Sequence, residues 1–526
     1  MRGREDIFLS TSDAEKMRLF RTIVNARVAQ TPVADRLASE TAQKPLVTDV
    51  NLRQIALLTG RNYGSVYNTY NGLVEELEAM TSKSASVKKM FNLPSAEVRR
   101  YLVEQSHAYH FLIAAFYGQY NSFDEFLTAE DTSKATMLRH LKPMRDFAHT
   151  FGVRFSYEGL KIAGPEKRIR LFLTLIFWLA TDGAAWPFSH CERKAVGRVV
   201  DATIDLFDLG RPNLVTREIA MYYVAVALRR MQLDEVIEFT PKQVTLQYPV
   251  PNFIEELDPV LRTAVALPEL SLSAQMGESS SLYFLFNFLP FYVTTGTDMQ
   301  EGALRRFRRY DPQIYTLVME FLDKLPVGFI TEHTLPTPVM NMLTANLFSV
   351  AMSLLEFGDD LSQALAYSIN DRLHQVPQNE TLAVKVHQTL EHVIVSENLT
   401  DFHAHLDVLS DSFYRNVLQL ATQFLPQVKV KVAVVIEQTL LGYVDLLAFL
   451  IAQPMVVLVS PNETDIDDAD LVIESATVPD ASGKIGPDTH TYKWAANSSN
   501  DWFGELYATI RQIWEDKMSV SENVDY

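Results

Sequence analysis

Cysteine is almost missing from this chain: its 526 residues include one, Cys191. That excludes an internal disulfide framework and any Cys-x-x-Cys metal site. The spacings of common catalytic machinery are missing too, with no GxGxxG, P-loop, HExxH or nucleophile elbow. No positive feature supports an enzyme, and no cofactor is expected. Long apolar runs are also lacking. Leu171–Ala180 is too short to span a bilayer, and Tyr443–Ser460 carries Asp445 and is cut by Pro454. The opening MRGREDIFLSTSDAEK has no apolar centre of the signal-peptide kind. The expectation is a cytoplasmic protein with no membrane partner.

Positive charge is scarce overall, 47 Lys and Arg against 65 Asp and Glu, a net of −18. The deficit is not evenly spread. Residues 1–172 hold 24 basic and 19 acidic side chains, net +5, while the remainder carries −23. A basic N-terminal third can approach phosphate while the acidic remainder stays off a duplex.

Within that third, Ser122 to Arg170 reads as helix, turn, helix and hairpin, the outline of a winged helix-turn-helix. In the second helix, Thr132 to about Ala148, Met137, Leu141, Met144 and Ala148 form one apolar stripe at helical period. Opposite lie Thr132, Ala135, Thr136, Arg139 and Lys142, flanked by Ser133 and Lys134 near an N-terminus that favours phosphate. Pro143 removes one intrahelical bond and predicts a bend. Val153, Phe155 and Tyr157 then alternate, Glu158-Gly159 fits a two-residue turn, and Leu160 and Ile162 alternate back. Gly164-Pro165-Glu166 restarts a helix, with proline at its first position. An ordinary helical pair with a hairpin and a solvated charged face fits this pattern equally well.

A second helix-turn-helix pattern lies upstream, in Val50 to Met80. Val66, Tyr70, Leu73, Val74 and Leu77 form its buried stripe, and Arg61, Gly64, Ser65 and Asn68 face away. A plain helical bundle is the alternative. One long helix is expected from Ala96 to about Tyr120. Its His107 and His110 stand one turn apart, a spacing that suits a metal but fits aromatic packing better. Leu171 to about Thr400 reads as helical, divided near residue 285 into two bundles. His190-Cys191 could suggest a thiol–imidazole pair, but adjacent side chains point apart on a helix. The last part changes character: strands at Val428–Ile436, Met455–Val459 and Leu471–Thr477 alternate with helices at Thr439–Ala452 and Trp502–Lys517, a small α/β domain.

The order of these parts resembles the Mga-type virulence regulators of Gram-positive bacteria, which carry phosphotransferase-system regulation domains. The most specific stretch is Ser133-Lys-Ala-Thr-Met-Leu-Arg139 followed by FGVRFSYEGLKIAGPEKRIRLF, residues 151–172. Ser133, Thr136, Arg139, Gly152, Ile162, Gly164, Glu166, Ile169 and Arg170 occupy the patterned places. The resemblance implies a mainly α, multidomain chain. Its parts would be an N-terminal helix-turn-helix domain (1–90), a winged helix-turn-helix domain (91–172), two regulation-domain bundles (173–285 and 286–400) and a C-terminal α/β domain like the EIIB component (401–526). It implies a transcriptional regulator that reads double-stranded promoter DNA. Ser133, Lys134, Thr136, Arg139 and Lys142 would face the major groove, Arg154 and Lys161 the backbone, with Arg61, Ser65 and Asn68 in the first unit. It also implies homodimers or larger oligomers through the bundles and C-terminal domain, and control by histidine phosphorylation through the carrier HPr.

The chain departs from that pattern in two places. The bundle helices Thr216–Arg230 and Met342–Leu355 hold no histidine where the family's phosphorylated ones stand, which leaves His190, His333 and His374 as candidates. The EIIB-like domain also lacks the phosphate-carrying cysteine, which counts against a phosphotransfer scaffold. An RNA-binding antiterminator with the same regulation domains is the other alternative. Such proteins begin with a β-rich domain, whereas this N-terminus reads as helical.

Overall fold

The computed structural model describes residues 7–31, 35–36, 45–81, 85–206, 211–239, 253–288, 297–325, 335–361, 379–424, 428–436, 443–460, 468–475, 489–494 and 500–520. It is mainly α-helical and separates into two compact units. One comprises Met1–Pro312 with Met352–Asp371, the other Gln313–Ala351 with Arg372–Tyr526.

The first unit opens with α1 (Thr11–Gln30), α2 (Leu52–Thr59) and α3 (Tyr63–Thr81). Met17, Phe20 and Ile23 of α1 are buried together with Val66, Leu73 and Leu77 of α3. Between α2 and α3 the chain turns at Gly60, whose φ of 62° is left-handed, and Asn62 caps α3 by accepting from the Ser65 N–H at 2.8 Å.

The long helix expected from Ala96 is broken in two, α4 (Ser95–Glu104) and α5 (His107–Tyr117). Ser106 makes the break by capping α5, accepting from the Tyr109 N–H at 3.2 Å. α6 (Phe123–Ala129) and α7 (Lys134–Thr150) follow, then a hairpin of β1 (Arg154–Ser156) and β2 (Lys161–Ala163). Phe111 of α5 holds the hairpin to the helices, with ring centroids 5.6 Å from Phe126 and 5.2 Å from Phe155. The hairpin register pairs Phe155 with Ile162 and Ser156 with Lys161. Its turn therefore spans four residues, Tyr157 to Leu160, rather than the expected two. Leu160 takes a left-handed φ of 45° while remaining buried at 1% exposure. Core burial decides this turn against local backbone preference.

Beyond the hairpin, α8 (Glu166–Thr181) starts one residue after Pro165, which caps the helix instead of opening it. Its C-terminus is closed by buried Arg99, which donates to the carbonyls of Leu179 and Ala180 at 2.6 and 3.1 Å. α9 (Arg193–Leu206), α10 (Leu214–Gln232) and α11 (Leu272–Phe288) complete the bundle around α8.

At its centre Arg170 is wholly buried. Its guanidinium bonds Glu278 of α11 through both Nη atoms, at 2.5 and 2.7 Å, and Glu166 through Nε at 2.9 Å. Glu166 also takes a two-pronged contact from Arg230 of α10, at 2.9 and 2.7 Å. Glu278 further accepts the Ile237 N–H at 2.9 Å. Gly277 makes that approach possible, because a side chain there would meet the Ile237 carbonyl oxygen at 2.0 Å.

In the second unit, Glu380–Ser396 (α12), capped by Asn379, packs on Leu406–Phe424 (α13) through Leu382, Val386, Leu390 and Val393. A four-stranded parallel sheet follows, in the order β4-β3-β5-β6: β3 Val430–Val435, β4 Val456–Val459, β5 Leu471–Glu474 and β6 His490–Lys493. α14 (Val444–Ile451) and α15 (Asn500–Val520) share a core with the sheet, in which Val432, Ile473, Leu450, Ile510 and Trp514 are buried together. Three of its strands match the expected ones within the described residues; the polar strand His490–Lys493 carries no sequence signal. Helix Thr337–Phe357 is long and apolar enough to cross a membrane, and 67% of its most apolar window is buried inside the protein.

Removing one member of a buried ion pair strands the other, at a cost of about 3–5 kcal/mol. Glu278→Ala is therefore expected to lower the melting temperature more than the double change Arg170→Met with Glu278→Met. A double variant less stable than Glu278→Ala would contradict this.

Candidate nucleic-acid interface

The outward face of α7 is set by its caps and its stripe. Ser133 caps the helix, accepting from the Thr136 N–H at 3.2 Å, and its hydroxyl also contacts Thr136 Oγ1 at 3.0 Å. Met137, Leu141, Met144 and Ala148 are fully buried, as their spacing predicts. The helix runs through Pro143 to Thr150. It ends where Gly152, at φ 65°, donates to the His149 carbonyl and Val153 donates to that of Ala148, at 2.9 and 3.0 Å. A side chain at Gly152 would be strained and would meet Arg168 at 2.8 Å.

This framework leaves Lys134, Ala135, Arg139 and Lys142 exposed on α7, with Thr136 partly covered. Arg154 and Lys161 are exposed on the two strands of the hairpin. Among the described residues, Lys134, Arg139, Arg154 and Lys161 make no hydrogen bond or ion pair, whereas Lys142 pairs with Asp146 at 2.8 Å. Beside the wing lies a cleft that the sequence reading missed, lined by Arg145, His149, Arg154, Phe155 and Tyr157. The only signal for it is spacing: Arg145 and His149 follow Lys142 at helical intervals.

The upstream helix-turn-helix is engaged differently. Arg61 donates to Glu15 of α1 at 3.0 Å and to Ser65 Oγ at 2.8 Å, so both residues tie α3 to α1. Asn68 is exposed, beside Tyr63 and Tyr67, which stack with centroids 6.1 Å apart. Leu57 and Leu58 are also exposed. The start of α3 thus presents an aromatic face, not a cationic one.

Two features lie behind these surfaces. Glu130, in the turn before α7, accepts from Nδ1 of both His107 and His110 at 2.9 Å. A shared carboxylate thus holds the histidine pair, alongside ring packing of the kind its spacing suggested. The His107 ring stacks on His140 of α7 at 5.4 Å. His190 has both ring nitrogens engaged: Nε2 donates to the Ala225 carbonyl at 2.9 Å, and Tyr117 donates to Nδ1 at 3.1 Å. Burial, together with the Arg229 charge, holds its pKa down to about 4 against the Ala225 bond. Burial also pushes its neighbour Cys191 up to about 12, well outside the thiolate range of a reactive pair. His333 and His374 lie outside the described residues.

The histidine cluster makes the winged unit acid-sensitive. Burial would raise the Glu130 carboxyl, but the bonds from His107 and His110 outweigh it and hold it below its usual 4.5. Burial, with the charges of His107 and Arg139, lowers His140 from 6.5. In both cases the unfolded chain takes up the proton first, so stability falls as pH falls. For His140 the loss begins as pH drops below 6.5, and for Glu130 below 4.5. His140→Gln should flatten the fall in melting temperature between about pH 6.5 and pH 5; an unchanged pH profile would exclude His140 as its source.

Residues 91–177 match the family model described as the Mga helix-turn-helix domain. The chain is also 18% identical over 208 residues, 38% of its own length, to the capsule synthesis positive regulator AcpB of Bacillus anthracis. That similarity spans 41% of the relative. The match covers the wing, the capped helix α7 and the Glu166–Arg170 turn of α8, so this part of the chain is similar to an Mga helix-turn-helix domain.

Proposed function

We propose that this protein is a DNA-binding transcriptional regulator that reads promoter DNA with α7 and the hairpin. The observation that carries the reading is the set of four exposed cations, Lys134, Arg139, Arg154 and Lys161, without partners among the described residues on one winged helix-turn-helix. Arginine on the outward face of such a helix suits the paired acceptors of guanine, and wing cations suit phosphate. Ser133 serves the helix first, since its hydroxyl is the cap. Similarity to a protein named a positive regulator of capsule synthesis supports a regulatory role. Nothing in the site favours catalysis.

The five-part division at residues 90, 172, 285 and 400 accompanies this proposal. The two helical segments act as regulation domains, and the C-terminal α/β part acts as an EIIB-like assembly module. Oligomers, dimers first, bring paired winged units to DNA in the cytoplasm. Response to sugar-phosphotransferase status would pass through HPr. With both nitrogens of His190 bonded, His333 and His374 carry that part of the proposal. Added phosphate would shift subunit contacts by its charge.

Arg139→Ala is expected to weaken promoter binding by about 1–3 kcal/mol if the guanidinium meets a base edge. Fluorescence anisotropy on promoter fragments measures this directly, and chromatin immunoprecipitation of both forms shows it in cells. Equal affinity of the two would remove Arg139 from the reading face. Phosphorylation by HPr that survives loss of both His333 and His374 would exclude those two as acceptors.

A further inference from the structure

The cleft between the C-terminal half of α7 and strand β1 has the composition of an anion site. Its floor is Phe155 and Tyr157, its rim Arg145, His149 and Arg154, and no carboxylate among the described residues lines it. Its volume, about 190 Å³, is below that of a typical small-molecule pocket. The donors there exceed the acceptors. Arg145 Nη1 donates to Tyr157 OH at 3.2 Å, but its Nε is buried with no partner among the described residues. A buried donor without an acceptor is costly, and a guanidinium donor more so. Asp146 and Glu158 adjoin these residues in sequence, yet neither lines the cleft, and Asp146 is held by Lys142.

Position points to the ligand. Arg139, Lys142, Arg145 and His149 follow one another at intervals of three or four residues, so the cationic row drifts from the outward face of α7 toward the wing. Arg145 lies about 9 Å along the helix axis from Arg139. A helix that meets base edges at Arg139 brings its far end and the wing together where the sugar-phosphate strand borders the groove.

We propose that this cleft is a clamp for one backbone phosphodiester of bound DNA, with Arg145 and Arg154 as its charged jaws. The proposal rests on the DNA-binding reading above and adds a sequence-independent contact to it. A phosphate oxygen accepts from the Arg145 guanidinium and supplies the anion the cleft lacks. Arg154, exposed on β1, closes the other side.

Counterion release supplies the test. Each phosphate that the protein ceases to neutralise lowers the slope of log K against log salt by about 0.9 on duplex DNA. The full-length protein is titrated with a promoter fragment and with a mixed-sequence duplex over a range of salt. Arg145→Met should reduce the slope by about 0.9 on both duplexes and weaken both by the same factor, unlike Arg139→Ala, which should act on the promoter. Tyr157→Phe removes the same internal hydrogen bond but keeps the cation, so its slope should equal that of wild type. An unchanged slope in Arg145→Met overturns the clamp. So does an equal reduction in Tyr157→Phe, which would make Arg145 a structural residue. Inorganic phosphate, compared with chloride at equal ionic strength, tests a free anion. Thermal stabilisation by phosphate that vanishes in Arg145→Met, with the DNA slope unchanged, would assign the cleft to a free anion instead. Wild-type protein that binds neither duplex would sink the DNA reading itself, before any variant is compared.

Discussion

Arg170 has no contact with solvent, and the arrangement of the first unit depends on how its charge is met. Two cations, Arg170 and Arg230, stand against two anions, Glu166 and Glu278. Charges taken out of water cost several kcal/mol each unless geometry and hydrogen bonds offset them. Here the pairing is two-pronged on both arginines, and Glu278 has a backbone N–H as a further donor. Glu166 and Arg170 lie one turn apart at the start of the helix that follows the wing. Their partners come from two other helices of the bundle. The wing therefore leads into the bundle through a charge network that tolerates few alternative arrangements.

The residues that mark the family are mostly architectural. Gly152 ends α7 in a left-handed turn, and Gly164 approaches so closely that a side chain there would meet the Gly152 carbonyl oxygen at 3.1 Å. Ile169 is buried, and Glu166 and Arg170 belong to the charge network. The cations left without partners among the described residues are Lys134 and Arg139 on the helix and Arg154 and Lys161 on the wing, the set on which the proposed DNA reading rests. Ser133 has a double position, exposed at the helix start yet committed to the cap. A motif match thus marks the framework and leaves the exposed side chains unassigned.

Much of this was legible in the sequence. The stripe of Met137, Leu141, Met144 and Ala148 has helical period, and burial followed it because one face of a helix must meet the core. The strands at Val430, Val456 and Leu471 are β-branched or apolar runs; β3 and β5 are largely buried, while Val457 and Leu458 of the edge strand β4 stay exposed. Two readings failed and one strand went unread, for physical reasons. The hairpin turn is longer than expected because burying Leu160 outweighs its strained backbone. Arg61 looked solvent-facing by periodicity, but Glu15, 46 residues earlier, reaches it. Strand His490–Lys493 is polar, and only its backbone pairing with Leu471–Glu474 makes it a strand.

The sequence alone determined the elements whose causes are local: caps, apolar stripes, the charge division and the signature of the winged unit. The caps and stripes rest on residues within about two helical turns of one another, and the charge division on composition alone. Tertiary structure decided everything that joins distant residues. Arg170 meets Glu278 across 108 positions, His107 and His110 share Glu130, and Arg145 lines a cleft with a wing that follows it. Such contacts depend on how helices pack, and a period of about 3.6 residues states which face is buried but not what it is buried against.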